Sequence, residues 1–195
     1  MHRPVLVTAP TTMPVDIADA KLACRVTHDD EDTLITELLK SAVAHLDGWT
    51  GILGRCLEEQ TWRQDFDGFA KCLRLPLEPV ISVASVKYRS TAGTLSTVSS
   101  DDYVLLRDDL GSYARFKDAF TYPGDLYQVG AVQVEFLAGY PQANGASTVP
   151  ADIKAAIKLL VGHWYQNREA VTEGSITELP MAVNALLSKH RHVVI

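Results

Sequence analysis

The sequence predicts an α+β fold, a small helical bundle formed by both ends of the chain with an inserted antiparallel β-rich domain. Three observations carry this expectation. Apolar residues recur at three- and four-residue steps before residue 50 and again after residue 150, the period of a helix with one buried face. Between about Cys56 and Tyr140 the runs shorten, alternate and fill with β-branched residues, the signature of strands. The connecting stretches hold glycine and proline where a turn needs them. Helix-period ends around a strand-period middle give two kinds of layer in one chain.

The elements follow in order. Residues 1–14 hold only Val5-Leu6-Val7 as an apolar patch, interrupted by Pro4 and Pro10. They are expected to be an extended arm, with Met13 a possible start of the folded part. Residues 15–55 supply the N-terminal helices. Asp16 precedes Ile17–Cys24, where its carboxylate can accept first-turn N–H groups. His28 to Asp32 opens a longer helix with Leu34, Ile35, Leu38, Leu39, Ala42, Leu46 and Trp49 on one stripe, ended by Gly51 and Gly54. Residues 56–141 form the inserted β-rich domain. Its strands are expected at Thr61–Phe66, Cys72–Leu75, Val80–Tyr88, Thr94–Val98 and Ala131–Leu137. Tyr103–Arg107 and Ser112–Phe116 form a hairpin around Asp108-Asp109-Leu110-Gly111. A polar loop, Gln142 to Thr148, leads into the C-terminal helices of residues 148–191. The first has Pro150 in its opening turn and Ile153, Ala156, Ile157, Leu160, Val161 and Trp164 on its apolar face. The second starts near Pro180 and carries Met181, Ala185, Leu186 and Leu187. Residues 192–195 are a tail.

Composition narrows the function classes. The formal net charge is −6, not the basic balance of a protein that holds a DNA backbone by displacing counterions. No apolar run reaches the ~20 residues of a membrane helix, and no membrane partner is expected. Cys24, Cys56 and Cys72 are odd in number and lack CxxC spacing, so each reads as a small buried hydrophobe in a reducing compartment.

Candidate chemistry is sparse. Asp29-Asp30-Glu31-Asp32 sits consecutively at a helix start, where negative charge is favoured by the helix dipole. It lacks the converging oxygens or the loop spacing of a hard-cation site. His163 has no HExxH partner, and no GxSxG nucleophile motif is present. No catalytic residue, metal ligand or cofactor is assigned. Trp49 and Trp164 read as core. Arg168 suits a bridge to a carboxylate, with Glu169 a local partner or exposed. Gly162 is costly inside a helix, by ~1 kcal/mol relative to Ala, and implies close approach of another backbone, from the bundle or from a neighbouring subunit. The basic, apolar end of Lys189, His190, Arg191, His192, Val193, Val194 and Ile195 reads as a docking tail or as a self-docked end. In the loop Phe120 to Tyr127, Tyr122 and Tyr127 are interface anchors or pack on their own sheet.

The order of these signals resembles tailed-phage head–tail connector (adaptor) proteins, including those of gene transfer agents. The segments that carry it are Ile17–Val26, Asp29–Ile35, Leu75–Tyr88, Val134–Tyr140, and Val149–Glu169 with Glu178-Leu179-Pro180 and Leu186-Leu187 behind it. The arm lies outside the pattern. The resemblance implies a non-enzymatic virion protein, assembled in the host cytoplasm and placed at the head–tail junction. It implies a homo-oligomeric ring, a dodecamer, beneath the portal protein. Such a ring contacts neighbouring connector or tail proteins, extends the DNA channel and lets DNA pass without specific binding. The alternatives are another head-completion or tail structural protein, or a small hydrolase or nuclease working through Asp29–Asp32 or His163 and Glu169.

Overall fold

The computed structural model describes residues 2–167 and 181–191. Its contacts divide into two compact units. One joins Thr12–Glu58 with the described residues from Gln142 onward, and holds the helices. The other joins the chain up to Thr11 with Glu59–Pro141, and holds the main sheets. Helices and antiparallel sheets together make the fold α+β, as the sequence predicts.

In the helical unit, α1 spans Ile17–Cys24. The Asp16 carboxylate caps it by accepting the Asp19 N–H at 2.7 Å. At its end Arg25 takes a left-handed conformation (φ 59°), and the Arg25 and Val26 N–H groups donate to the Leu22 and Lys21 carbonyls, a closure more often built on glycine. Helix α2, Asp32–Leu46, buries Ile35, Leu39, Ala42 and Leu46, one residue per turn or so. It stops earlier than its apolar stripe suggests. Asp47 leaves the helix, and its carboxylate accepts the Leu57 N–H at 2.6 Å. Gly48 follows with φ 72°, so Trp49 lies beyond the helix and is half-buried. Gly51 is required where it stands, because a Cβ would fall 2.3 Å from the Asp47 carbonyl oxygen.

Helix α3, Ala151–Gln166, buries Ile153, Ala156, Ile157, Leu160 and Val161, five of the six residues expected on its face. Pro150 stands just before the helix rather than in its first turn. Helix α4, Met181–Leu187, buries Val183 and Leu187, whereas Met181 is exposed. Of the expected Met181, Ala185, Leu186 and Leu187, Leu187 is buried, and Val183 joins it on the inner face.

In the β unit, β1 (Val5–Thr8), β2 (Gln60–Phe66), β4 (Val80–Arg89), β5 (Leu95–Thr97) and β8 (Val132–Ala138) form an antiparallel sheet in the order β1-β2-β8-β4-β5, and β3 (Cys72–Arg74), β6 (Tyr103–Asp108) and β7 (Gly111–Phe116) form a second in the order β3-β7-β6. The central β8 alternates buried and half-buried residues along its whole length, the mark of a strand with one face in the core. Its register on β2 runs without a break from Gln60↔Ala138 to Phe66↔Val132, while β4 meets it with irregularities near Ile81 and Ala84. The β6–β7 hairpin turns at Asp109 and Leu110, as expected. Phe116, Phe136, Val86, Val132 and Val134 are fully buried. The residues at 142–147, expected to be a loop, make a two-stranded ribbon of β9 (Gln142–Ala143) and β10 (Ala146–Ser147) in the helical unit. Asn144 and Gly145 turn it with φ of 52° and 76°, the positive values such a hairpin needs.

No helix among the described residues is long and apolar enough to cross a membrane.

Candidate functional site

The acid run is not spread along the α2 N-terminus as side-chain caps. Glu31, at the cap position, makes no capping bond; its carboxylate accepts the Tyr165 hydroxyl of α3. Asp29 and Asp32 both lie 2.6 Å from the Lys21 ammonium of α1. Those bonds raise the Lys21 pKa, and the lysine holds Asp29 below the usual carboxylate range. Asp30 faces His28 at 3.5 Å. The four acids thus meet three different partners. Among the described residues no group of three or more His, Cys, Asp or Glu is arranged to hold a metal ion.

His163 is near Asn167, one turn on, at 3.3 Å. Trp164 is half-buried, with its ring edge-on to His45 at 6.3 Å. Arg168 and Glu169 lie outside the described residues, as do Glu178, Leu179 and Pro180. Cys24 and Cys56 are buried as expected; Cys72 is exposed, because it sits on the outward-facing side of β3 beside buried Leu73.

The basic end is engaged. Lys189 and His190 converge on Asp152 of α3, at 2.6 and 2.8 Å, and together hold its carboxyl well below the usual carboxylate range. The Arg55 guanidinium donates to the His190 carbonyl, and Arg191 donates to Asn184 at 3.1 Å. His192, Val193, Val194 and Ile195 lie outside the described residues.

The aromatic loop packs on its own sheet. Phe120 stacks on Phe116 at 4.9 Å, and Tyr122 stands edge-on to Phe116 and Phe120 at 5.8 and 5.1 Å. Phe69, which the sequence pattern did not single out, meets these three rings and that of Tyr88. Tyr122 still keeps 42% of its surface exposed, and Tyr127, under the Arg89 guanidinium at 6.0 Å, keeps 46%.

A concave surface lies in the helical unit. It is an open groove of about 740 Å³ between α1 and α3, lined by Leu22, Ala23, Leu159 and Gly162, with Asp19 and Lys158 at its rim. Its lining is mostly apolar. The sequence held a signal for it. The α3 stripe absorbs Leu160 and leaves Leu159 off the buried face, and α1 buries Ala20 and Cys24 but not Leu22. Gly162 lies in this groove, and a methyl added there would meet only the Ala23 carbonyl oxygen, at 3.7 Å, among the described residues. That is an ordinary contact, so the approach of α1 does not require the glycine.

No curated protein sequence matches the chain. Residues 106–191 match the family described as Phage gp6-like head-tail connector protein. The fold matches a chain in the neck of an empty gene transfer agent particle computed with C6 symmetry, with a TM-score of 0.78, 21% identity, and coverage of 100% of this chain and 97% of that one. It matches a chain in the virion of the native particle with a TM-score of 0.75, at the same identity and coverage. A third match, to the neck of the native particle computed with C12 symmetry, has a TM-score of 0.63, 20% identity and 97% coverage of both chains. The resemblance to head–tail connector proteins carried by the sequence is therefore met by a family match over residues 106–191 and by a shared fold over the whole chain.

Proposed function

We propose that this chain is a structural head–tail connector of a phage or phage-like particle, without a catalytic role. It sits at the head–tail junction as a homo-oligomeric ring, docks on the portal protein, contacts the next connector or tail component and extends the channel through which DNA leaves the head. The observation that carries this reading is the fold shared over the full length of the chain with a neck component of gene transfer agent particles. The C6 and C12 symmetries of those necks support a ring. The net charge of −6 suits a channel wall along which DNA slides rather than sticks.

Cryo-electron microscopy of particles made by the source of this sequence tests the reading. Density for this fold as a ring between portal and tail is expected, and its absence from the junction overturns the proposal.

A further inference from the structure

We propose that the main sheet runs on from one copy of this chain to the next, the β1 edge of one copy pairing with the bare β4 edge of its neighbour. This deepens the connector reading and rests on it. A closed ring is built from head-to-tail interfaces, so each copy must offer two different, complementary surfaces.

The two ends of one sheet supply them. The order β1-β2-β8-β4-β5 leaves β1 open on its outer side. At the other end β5 covers β4 only at Lys87, Tyr88 and Arg89, and the Val98 N–H donates to the Val86 carbonyl. Among the described residues no strand lies on that side of residues 81–85. Bare strand edges are usually guarded by charge, because their free N–H and C=O groups template another strand. Ile81-Ser82-Val83-Ala84-Ser85 carries no charge, and Ile81, Ser82 and Ala84 are exposed. Val5-Leu6-Val7-Thr8 carries none either, and all four residues are exposed. Each edge is a row of backbone donors and acceptors that an added strand matches residue for residue.

Direction and charge name a second copy as the occupant. Three antiparallel steps separate β1 from β4, so the two strands run in opposite directions. A neighbour turned through the small angle of a many-membered ring keeps nearly the same orientation. Its β1 therefore arrives antiparallel to β4, the slightly more stable pairing. That direction sets Arg3, two residues before β1, against the Ser85 end of the bare edge. There the chain leaves β5 through Val98 and enters the turn that holds Asp101. Arg3 and Asp101 are both exposed and opposite in sign, as the two sides of an interface should be. Irregularities at Ile81 and Ala84 bend the β4 edge, and Pro4 and Pro10 bracket β1. The pairing is thus short, and it forms where the ring aligns the copies.

The test places a photo-reactive benzoylphenylalanine at position 84 of the full chain in assembled particles, followed by irradiation and mass spectrometry. Products joining position 84 to residues 3–10 are expected, and these arise between copies because β2 and β8 stand between the two edges within one copy. Products confined to other parts of the chain, or to a different virion protein, overturn the proposal. A second arm uses Leu6→Lys and Ala84→Lys, each of which puts a charge on an exposed edge position. Both variants are expected to melt like wild type as isolated chains and to be recovered in particle rings several-fold less. Normal ring recovery with both overturns the proposal. Wild-type density is read in the same particles. A ring at the junction without these products removes the sheet pairing alone, whereas no ring at the junction removes the connector reading as well.

Discussion

Carboxylates of the two units are put to different uses, as Asp29, Asp32 and Asp152 in one and Glu78 in the other show. In the helical unit, Asp29, Asp32 and Asp152 act as clasps, each gripping a lysine, with a histidine added at Asp152. These contacts are peripheral, since Asp29 is almost fully exposed and the Lys189 side chain keeps 69% of its surface in solvent, where screening makes ion pairs weak. In the β unit, Glu78 is buried and faces inward. It accepts the Ser112 and Val80 N–H groups and pairs with Arg107 at 3.3 Å. Its loss strands backbone donors that water does not reach. The contrast teaches where each unit can give. The β unit closes on a dense aromatic cluster and the internal Glu78, while the helical unit adds these outer clasps to a buried carboxylate of its own, Glu58, and leaves an apolar groove open.

Substitutions at four positions sharpen or break that contrast. Phe116→Ala empties the middle of the aromatic cluster, where Phe69, Phe120, Tyr103 and Tyr122 all meet its ring. It is expected to cost about 3–5 kcal/mol in denaturant unfolding; a loss under about 1 kcal/mol by the same measure would mean that the cluster closes without it. Glu78→Ala should cost about 2–3 kcal/mol, the penalty for orphaned buried donors, and Glu78→Gln clearly less. Equal losses for the two variants would show that both carboxylate oxygens are needed, one for each N–H.

Asp152→Asn should cost only about 1 kcal/mol at neutral pH, given the exposure of Lys189, and its signature is in the pH profile. The folded carboxyl titrates below its unfolded value, so the unfolded chain binds the proton first. The clasp's contribution is present above about pH 4 and is lost as the pH falls toward the folded pKa. Wild type should therefore lose more stability than Asp152→Asn on acidification below about pH 4; parallel profiles would remove the clasp. Gly162→Ala is the smallest change and has the opposite sign. It should stabilise the isolated chain by roughly 0.5–1 kcal/mol, and a destabilisation would show that the helical unit itself needs the glycine.

Local pattern revealed the elements, and distance in sequence hid their partners. The β6–β7 hairpin, the β-rich insertion between α2 and α3, and the buried face of α3 all rest on periods and turns within a few residues. The Lys21 clasp, the Asp152 clasp and the internal role of Glu78 join residues 8 to 38 positions apart, and nothing in a local window announces them. Trp49 was drawn into the α2 stripe because its spacing fits, but Asp47 ends the helix first by turning to cap Leu57. Met181 fits a helix start and nevertheless faces solvent. The 142–147 ribbon was legible, since Asn144-Gly145 is a strong hairpin signal, yet the polar residues around it read as loop. Gly162 was visible as a helix residue at odds with its surroundings, whereas the groove around it needed α1 and α3 side by side.

The strand β1 has a practical consequence. Val5, Leu6 and Thr8 pair with the outer side of β2, and the Gln64 side chain donates to the His2 carbonyl at 2.7 Å. A protein produced from Met13 loses this cover. The seven-residue β2 then becomes the sheet edge, in place of a four-residue strand bracketed by Pro4 and Pro10. Long bare edges recruit strands from other molecules. Versions shortened to begin at Met13 are therefore expected to self-associate more readily than the 195-residue chain, as light scattering would show.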